Sequence, residues 1–234
     1  MRHLVIGLGE VGKAIFEVLS SKYLTCGYDP LHAPTYPEGK FDMIHICFPF
    51  SPTFADTVNM YRDQSLEEGG LVVVHATVPI GTCDSIGAVH SPVRGKHPHL
   101  TEGVRKFYKF FGGQRSLDAA QVFIDMKIKA IATPDARNTE AMKLWDTTIY
   151  GLNIIIMKHI HAFCTERGLD FNVVYSLANR SYNEGYSVLR SPEYAKYVLE
   201  YTAGKIGGHC VIPNAKLLDS ELAQWLIDQN EILS

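Results

Sequence analysis

The residues GLGEVG, Gly7 to Gly12, constrain this chain more than any other stretch. They follow the apolar run HLVIGL and lead into VGKAIFEVLSS, where Val11, Ile15, Val18 and Leu19 recur on one helical face. A strand that ends in glycines and passes at once into a helix is the context in which GxGxxG spacing carries a mechanism. Gly7 permits the tight turn, Gly9 lets the backbone approach a pyrophosphate, and Gly12 lets helix and strand pack closely. The helix N-terminus then aims amide donors at phosphate oxygens. Asp29 closes the second strand-like run, YLTCGYD, about twenty residues on. A carboxylate there accepts hydrogen bonds from ribose hydroxyls and repels a 2′-phosphate, which favours NAD over NADP. The competing reading is a ligand-free glycine turn, with Asp29 capping the chain before Pro30. The agreement of turn, helix and acid favours the dinucleotide.

Beyond the turn, strand-like and helix-like segments alternate up to Pro134. FDMIHICFP, GGLVVVHAT, AVHSPVRG, KFYKFFGG and KIKAIATP read as strands; PTFADTVNMYRDQSL and SLDAAQVFIDM read as helices, with a short one in VPIGTCDSIG. PLHAPTYPEGK carries three prolines, so no regular crossover helix is expected between the second and third strands. The alternation predicts a doubly wound, mainly parallel α/β sheet of Rossmann-like type over residues 1–133.

From residue 134 to 234 the pattern is all-α. One helix is expected from Asp135 to about Arg167, stopped by Gly168 and roughly 45–50 Å long. Its middle, Ile149 to Ile160, is too apolar for a helix with one solvated face. A homodimer burying Ile154–Met157 between two such helices is therefore expected. DFNVVYSLANRSYNEGY, SPEYAKYVLEYTAG and SELAQWLIDQNEILS read as further helices.

Composition removes several function classes. The 234 residues are 46% hydrophobic with a net charge of −3, so no basic excess points to nucleic acid or an anionic membrane. The longest apolar stretch, IYGLNIIIM, is too short to span a bilayer, and the N-terminal apolar run leads into glycines rather than a signal-peptide cleavage site. Cys26, Cys47, Cys83, Cys164 and Cys210 are scattered without a CxxC pair, so neither a zinc site nor a disulfide framework is expected; free thiols suit the cytoplasm. No metal is expected: His97 and His99 straddle Pro98 in a loop, and His159 and His161 face different ways on a helix.

Six further pieces carry a resemblance. CFPF (47–50), HATVPIGT (75–82), HSPVRG (90–95), EAMKLWDTT (140–148), ERGLDFNVV (166–174) and GGHCVIPN (207–214) resemble, in order, the motifs of the UDP-glucose/GDP-mannose dehydrogenase family. With the glycine turn they cover nearly the whole chain. The resemblance implies NAD bound to an N-terminal Rossmann domain and a helical central domain that dimerises through its long helix. It also implies a small-molecule substrate, a nucleotide sugar, oxidised at an alcohol through a thiohemiacetal and a thioester on cysteine. Cys210 matches the family cysteine and Lys143 its lysine, with both expected to act at the interdomain cleft; Thr147 and Asn214 complete the expected catalytic set. The cofactor set adds Leu8, Glu10, Val11, Pro30, Cys47, Pro49 and Thr77 to the turn glycines and Asp29. Arg94, with Lys96 beside it, and Gly207 and Gly208 are the expected substrate contacts.

The chain also departs from the pattern. Val93 replaces a family glutamate, Thr147 an asparagine and Asn214 an aspartate, and Pro213 sits one place late. Neither Val93 nor Asn214 can act as acid or base, so thioester hydrolysis is expected to be weak. The family's C-terminal sugar-nucleotide domain is expected to be absent. Two other readings stay open: a non-catalytic NAD-binding dimer serving as sensor or scaffold, and a β-hydroxyacid-type dehydrogenase, which shares the domain plan.

Overall fold

The computed structural model describes residues 1–95 and 98–233. The chain divides into two compact units, Met1–Lys143 and Leu144–Ser234.

The first unit is an α/β layer structure. In chain order it holds β1 (Arg2–Ile6), α1 (Glu10–Ser20), β2 (Leu24–Tyr28), β3 (Phe41–Ile46), α2 (Phe54–Ser65), β4 (Leu66–Val74) and α3 (Thr82–Ser85). It continues with β5 (Val89–His90), α4 (Leu100–Lys106), β6 (Lys109–Gly112), α5 (Ser116–Ile124) and β7 (Ala130–Thr133). The sheet order is β2-β1-β3-β4-β5-β6-β7, and every pairing is parallel except β5 with β6. Successive residues of β1 serve opposite faces: Val5 packs with Ile15, Val73 and Phe123, while Leu4 and Ile6 pack with Ile44, Phe54 and Val74. Burial on both faces explains the continuous apolar runs that mark these strands in the sequence. Strand order reverses between β1 and β3, and the crevice at such a reversal, beyond the carboxyl ends of the strands, is where open α/β sheets take ligands.

As the prolines imply, β2 passes to β3 without a helix, through a chain that includes a bridge between Asp29 and Ala33. Helix α4 is a departure from the sequence reading. Its central Gly103 obscures it, yet glycine is required there because a Cβ would stand 2.8 Å from the Arg94 carbonyl oxygen.

The second unit is helical. Helix α6 (Ala136–Glu166), whose residues up to Lys143 belong to the first unit, runs for 31 residues, about 46 Å at the usual rise. It ends at Gly168, whose φ of +62° lets the Leu169 amide return to the Cys164 carbonyl. A π-helical turn (Asn172–Leu177), α7 (Ala178–Val188), α8 (Val211–Ala215) and α9 (Glu221–Ile232) follow. Gly151 lets α6 cross α8 and α9 closely: a Cβ there would lie 2.5 Å from Val211 and 2.8 Å from Leu226. Leu144, Ile155, Val211, Ala215 and Leu226 fill the core.

Two expectations need correction. SPEYAKYVLEYTAG is not helical beyond a 3₁₀ turn at Pro192–Tyr194. Side chains claim the backbone groups a helix would use: Asn183 brackets Lys196 at 2.9 and 2.8 Å, Tyr175 Oη bonds Tyr197 and Leu199, and Lys158 takes the carbonyls of Thr202 and Gly204. The segment Ile154–Met157 is also used differently, because Ile155 and Met157 are already buried within the chain, Ile154 is half-buried and Ile156 is exposed, at 49%.

Candidate active site

The glycine turn stands at the carboxyl end of β1. Gly7 has φ +86°, and a Cβ on it would lie 2.8 Å from the Phe48 nitrogen. A Cβ on Gly12 would stand 1.7 Å from the Gly7 carbonyl oxygen and 3.3 Å from Cys47 Cβ. The fold itself therefore demands both glycines. Gly9 is different: its φ is −68°, it is exposed, and among the described residues a Cβ on it would meet nothing within 4 Å. The protein's own packing does not require a glycine at 9, whereas a phosphate seated at the N-terminus of α1 does. On this test the residues fit a dinucleotide.

Asp29 is drawn into the turn more tightly than a ribose contact alone would require. Its Oδ2 accepts the Leu8 amide at 2.7 Å, and its Oδ1 accepts the amides of Leu31 and His32 at 2.9 and 3.1 Å. The Leu8 bond, outweighing the opposing effect of burial, holds its pKa below the ordinary carboxylate value. Around it, the Leu8 side chain covers Gly27, Val11 packs on the sheet core, and Glu10 and Pro30 are exposed. Cys47 follows β3 and packs under the turn, its thiol pushed up to about 12 by burial; Pro49 is exposed beyond it. Thr77 lies half-buried in the loop after β4.

The E-x-x-K motif at the start of α6 organises two loops of the first unit. Glu140 is fully buried and accepts the amides of Gly81 and Cys83 at 2.6 and 2.8 Å, fixing the loop that follows Thr77. Burial raises its pKa, and the two amides offset part of that. Three residues on, Lys143 Nζ donates to the Val93 carbonyl at 3.0 Å, beside half-buried Arg94, whose guanidinium lies over Phe110. Lys96 and His97 lie outside the described residues, and His99 faces Glu102 at 3.7 Å.

In the second unit, the loop before Cys210 is pinned up to Ile206 and open beyond it. Lys158 holds Gly204 at 2.8 Å, Lys205 pairs with Glu231 at 2.7 Å, and Asn230 accepts the Ile206 amide at 2.6 Å. Gly207 and Gly208 are exposed with room around both, and Cys210 is exposed at the start of α8. Buried Asn214 donates to Thr147 Oγ1 at 3.3 Å, and Thr147 donates to the Leu144 carbonyl at 3.1 Å. These two departures from the family pattern thus answer each other.

No protein-family model matches the chain, and no curated protein matches it. Solved structures do. UDP-D-ManNAc dehydrogenase from Pyrococcus horikoshii superposes with a TM-score of 0.80 at 17% identity, over 99% of this chain and 68% of that one. The UDP-N-acetyl-mannosamine dehydrogenase of Staphylococcus aureus gives 0.75 at 16% identity, with the same coverage. Mycobacterium tuberculosis 3-hydroxyisobutyrate dehydrogenase gives 0.72 at 14% identity, over 97% of this chain and 91% of that one. The fold is a dehydrogenase fold.

Sequence reasoning missed a row of buried imidazoles in the first unit. His3 Nδ1 lies 3.0 Å from His45 Nε2, and His45 Nδ1 lies 2.9 Å from His75 Nε2. His75 Nδ1 lies 2.7 Å from the Ser91 carbonyl oxygen, which also accepts from Lys109 Nζ at 3.0 Å. A carbonyl only accepts, so His75 carries its proton on Nδ1 and receives at Nε2; His45 and then His3 follow suit. Among the described residues His3 Nε2, buried, has no partner. Burial holds all three imidazoles neutral, lowering His3 to about 4 and His45 and His75 well below the ordinary value.

Proposed function

We propose that this chain is an oxidoreductase that binds a nicotinamide dinucleotide at Gly7–Gly12 and oxidises an alcohol. The observation that carries the reading is Gly9, a glycine with no packing reason, at the opening of a helix on the carboxyl edge of the sheet. Asp29 supports NAD over NADP, because a buried carboxylate held ionised opposes a 2′-phosphate. When bound, the dinucleotide would supply the acceptor for the hydride, and the alcohol's hydroxyl proton would pass to water.

The chain's own residues supply the rest. The amides at the start of α1 and the Asp29 carboxylate hold and orient the cofactor. Lys143 is assigned to stabilise the substrate oxygen by its charge. Cys210 is assigned as the nucleophile: its thiolate adds to the carbonyl carbon of the aldehyde, and the carbonyl oxygen takes up a proton to give a thiohemiacetal. Without a carboxylate at 93 or 214 no base is assigned to a hydrolytic step, so a single two-electron oxidation is the expected chemistry. A nucleotide sugar is the leading substrate class, and small 3-hydroxy acids are the alternative. Residues 1–133 are read as the dinucleotide-binding domain and 134–234 as the helical, dimer-forming domain. Exposed Ile156 and Phe163, which line a groove with Val174, support a homodimer through α6. Ile156→Glu should turn a dimer into a monomer by light scattering. The five free cysteines suit a cytoplasmic setting, and among the described residues no helix is long and apolar enough to cross a membrane.

The test is NADH binding by fluorescence, followed by NAD reduction across panels of nucleotide sugars and 3-hydroxy acids. Absence of binding would sink the proposal. Binding without turnover on either panel would select the second reading, a dinucleotide-binding protein that is not an enzyme. That reading draws on the Asn214–Thr147 hydrogen bond, through which two catalytic positions satisfy each other.

A further inference from the structure

Lys109 is a lysine with 4% exposure inside the sheet core, and nothing in the proposed chemistry uses it. Its position follows from the one antiparallel pairing. Because β6 runs against β5, its first residue reaches the carboxyl edge of the first five strands, where β1 to β5 end and β6 and β7 begin. There Nζ donates to the Ser91 carbonyl at 3.0 Å and approaches the Pro92 carbonyl at 3.5 Å. The next carbonyl, Val93, accepts from Lys143 at 3.0 Å. Three consecutive carbonyls of one loop therefore face two lysines, and the first of them also takes the His75 proton. Ser91 is anchored from its other side by its amide, which donates to the Val74 carbonyl at 2.7 Å.

We propose that Lys109 is a positioning residue: its ammonium holds the Ser91–Pro92 carbonyls inward and thereby sets where Val93 and the Lys143 bound to it stand. The proposal deepens the dehydrogenase reading and rests on it for the role of Lys143. Lysine suits the task because charged donors bind carbonyls about twice as strongly as neutral ones. It also makes the hold sensitive to pH. The groups around Nζ are His75 at 3.3 Å after β4, the rings of Phe111 and Phe123 at 5.5 and 5.3 Å, and, acting through charge, Cys47 after β3 and Lys143 on α6. His45 on β3 and His90 on β5 feel the same charge. Among these no carboxylate offsets the burial, which brings Lys109 down to about 7. Above that pH the loop loses its charged clasp.

Hydrogen exchange of the Ser91, Val93 and Arg94 amides, corrected for the intrinsic pH dependence, tests this without any substrate. In the wild type, exchange should rise about tenfold as pH passes through about 7, the effect of weakening one charge-assisted hydrogen bond. Lys109→Met should exchange fast at every pH and Lys109→Arg slowly at every pH, since arginine does not discharge. A rise in Lys109→Met matching the wild type overturns the proposal, as does a Lys109→Arg profile that still titrates; the second stands alone if the methionine variant does not fold. The pH profile of kcat/KM should move with the exchange profile. If exchange behaves as stated and no substrate turns over, the hold on the loop stands and the dehydrogenase reading falls, so the two failures are separable.

Discussion

The Leu8 amide donates to Asp29 Oδ2 across 2.7 Å, so the middle of the glycine turn is bonded to the end of the neighbouring strand. One carboxylate thus shapes the cradle and stands ready beside it. Asp29→Asn should loosen the turn and cost about 1–3 kcal/mol in urea unfolding, because the amide cannot replace both accepting oxygens. The sign with pH follows from the lowered pKa: the stabilisation is complete above the unfolded value of 3.8 and is lost as pH falls through the lower folded value. The variant should show no such loss at acid pH, and should accept NADPH better relative to NADH.

Gly9 and Gly12 should respond in opposite ways. Gly12→Ala places a methyl 1.7 Å from a carbonyl oxygen and should destabilise the first unit by about 3 kcal/mol or more in thermal or urea unfolding. Gly9→Val should leave stability within about 1 kcal/mol yet weaken NADH binding at least about tenfold, because its side chain enters the space left for phosphate. Equal NADH affinity in Gly9→Val and wild type would remove the dinucleotide from the turn.

Glu140 holds two amides from a buried position, so Glu140→Ala should cost about 2–4 kcal/mol and Glu140→Gln less, since glutamine keeps one acceptor. Burial raises the folded pKa above 4.5, so the folded protein keeps a proton that the unfolded chain has lost. Stability should therefore fall as pH rises through that window, and the slope should flatten in Glu140→Gln. Urea midpoints across mildly acidic pH would check both.

Lys109 gives the opposite slope. Between about 7 and 10.5 the unfolded chain binds a proton that the folded one does not, so global stability should rise with pH across that range. Lys109→Met should abolish the rise. The charge that steadies one loop thus weighs against the fold as a whole, and both effects are readable in one protein.

Cys210 should be alkylated first in the native state, because it is exposed while Cys26 and Cys47 are half-buried, Cys83 and Cys164 are buried, and the Cys47 thiol is pushed up to about 12. Burial accounts for that order without any catalytic role. A nucleophilic role requires in addition that Cys210 react faster at neutral pH than a free cysteine peptide; a rate at or below the peptide's would argue against it.

Much of this was legible in the sequence because local rules and tertiary needs coincide. The apolar runs of β1, β3 and β4 are buried on both faces, Gly7 and Gly12 are forced by sterics, and Gly168 does end the long helix. The tyrosine-rich stretch after Pro192 was misread because its backbone bonds go to Asn183, Tyr175 and Lys158, which lie far off in sequence. The role of Glu140 was hidden for the same reason. His3, His45 and His75 meet only through register: His45 stands beside Val5 and Val73, two residues from His3 and His75 on their own strands. No local pattern announces such a meeting.

The row of imidazoles gives this sheet a direction that parallel strands lack. Each ring holds one proton, so three small dipoles lie head to tail from β1 towards β5, and reversing any one of them requires reversing all. The choice is made at a single carbonyl, Ser91. A displacement of that oxygen would be felt three strands away at His3 Nε2, a buried lone pair with no partner among the described residues.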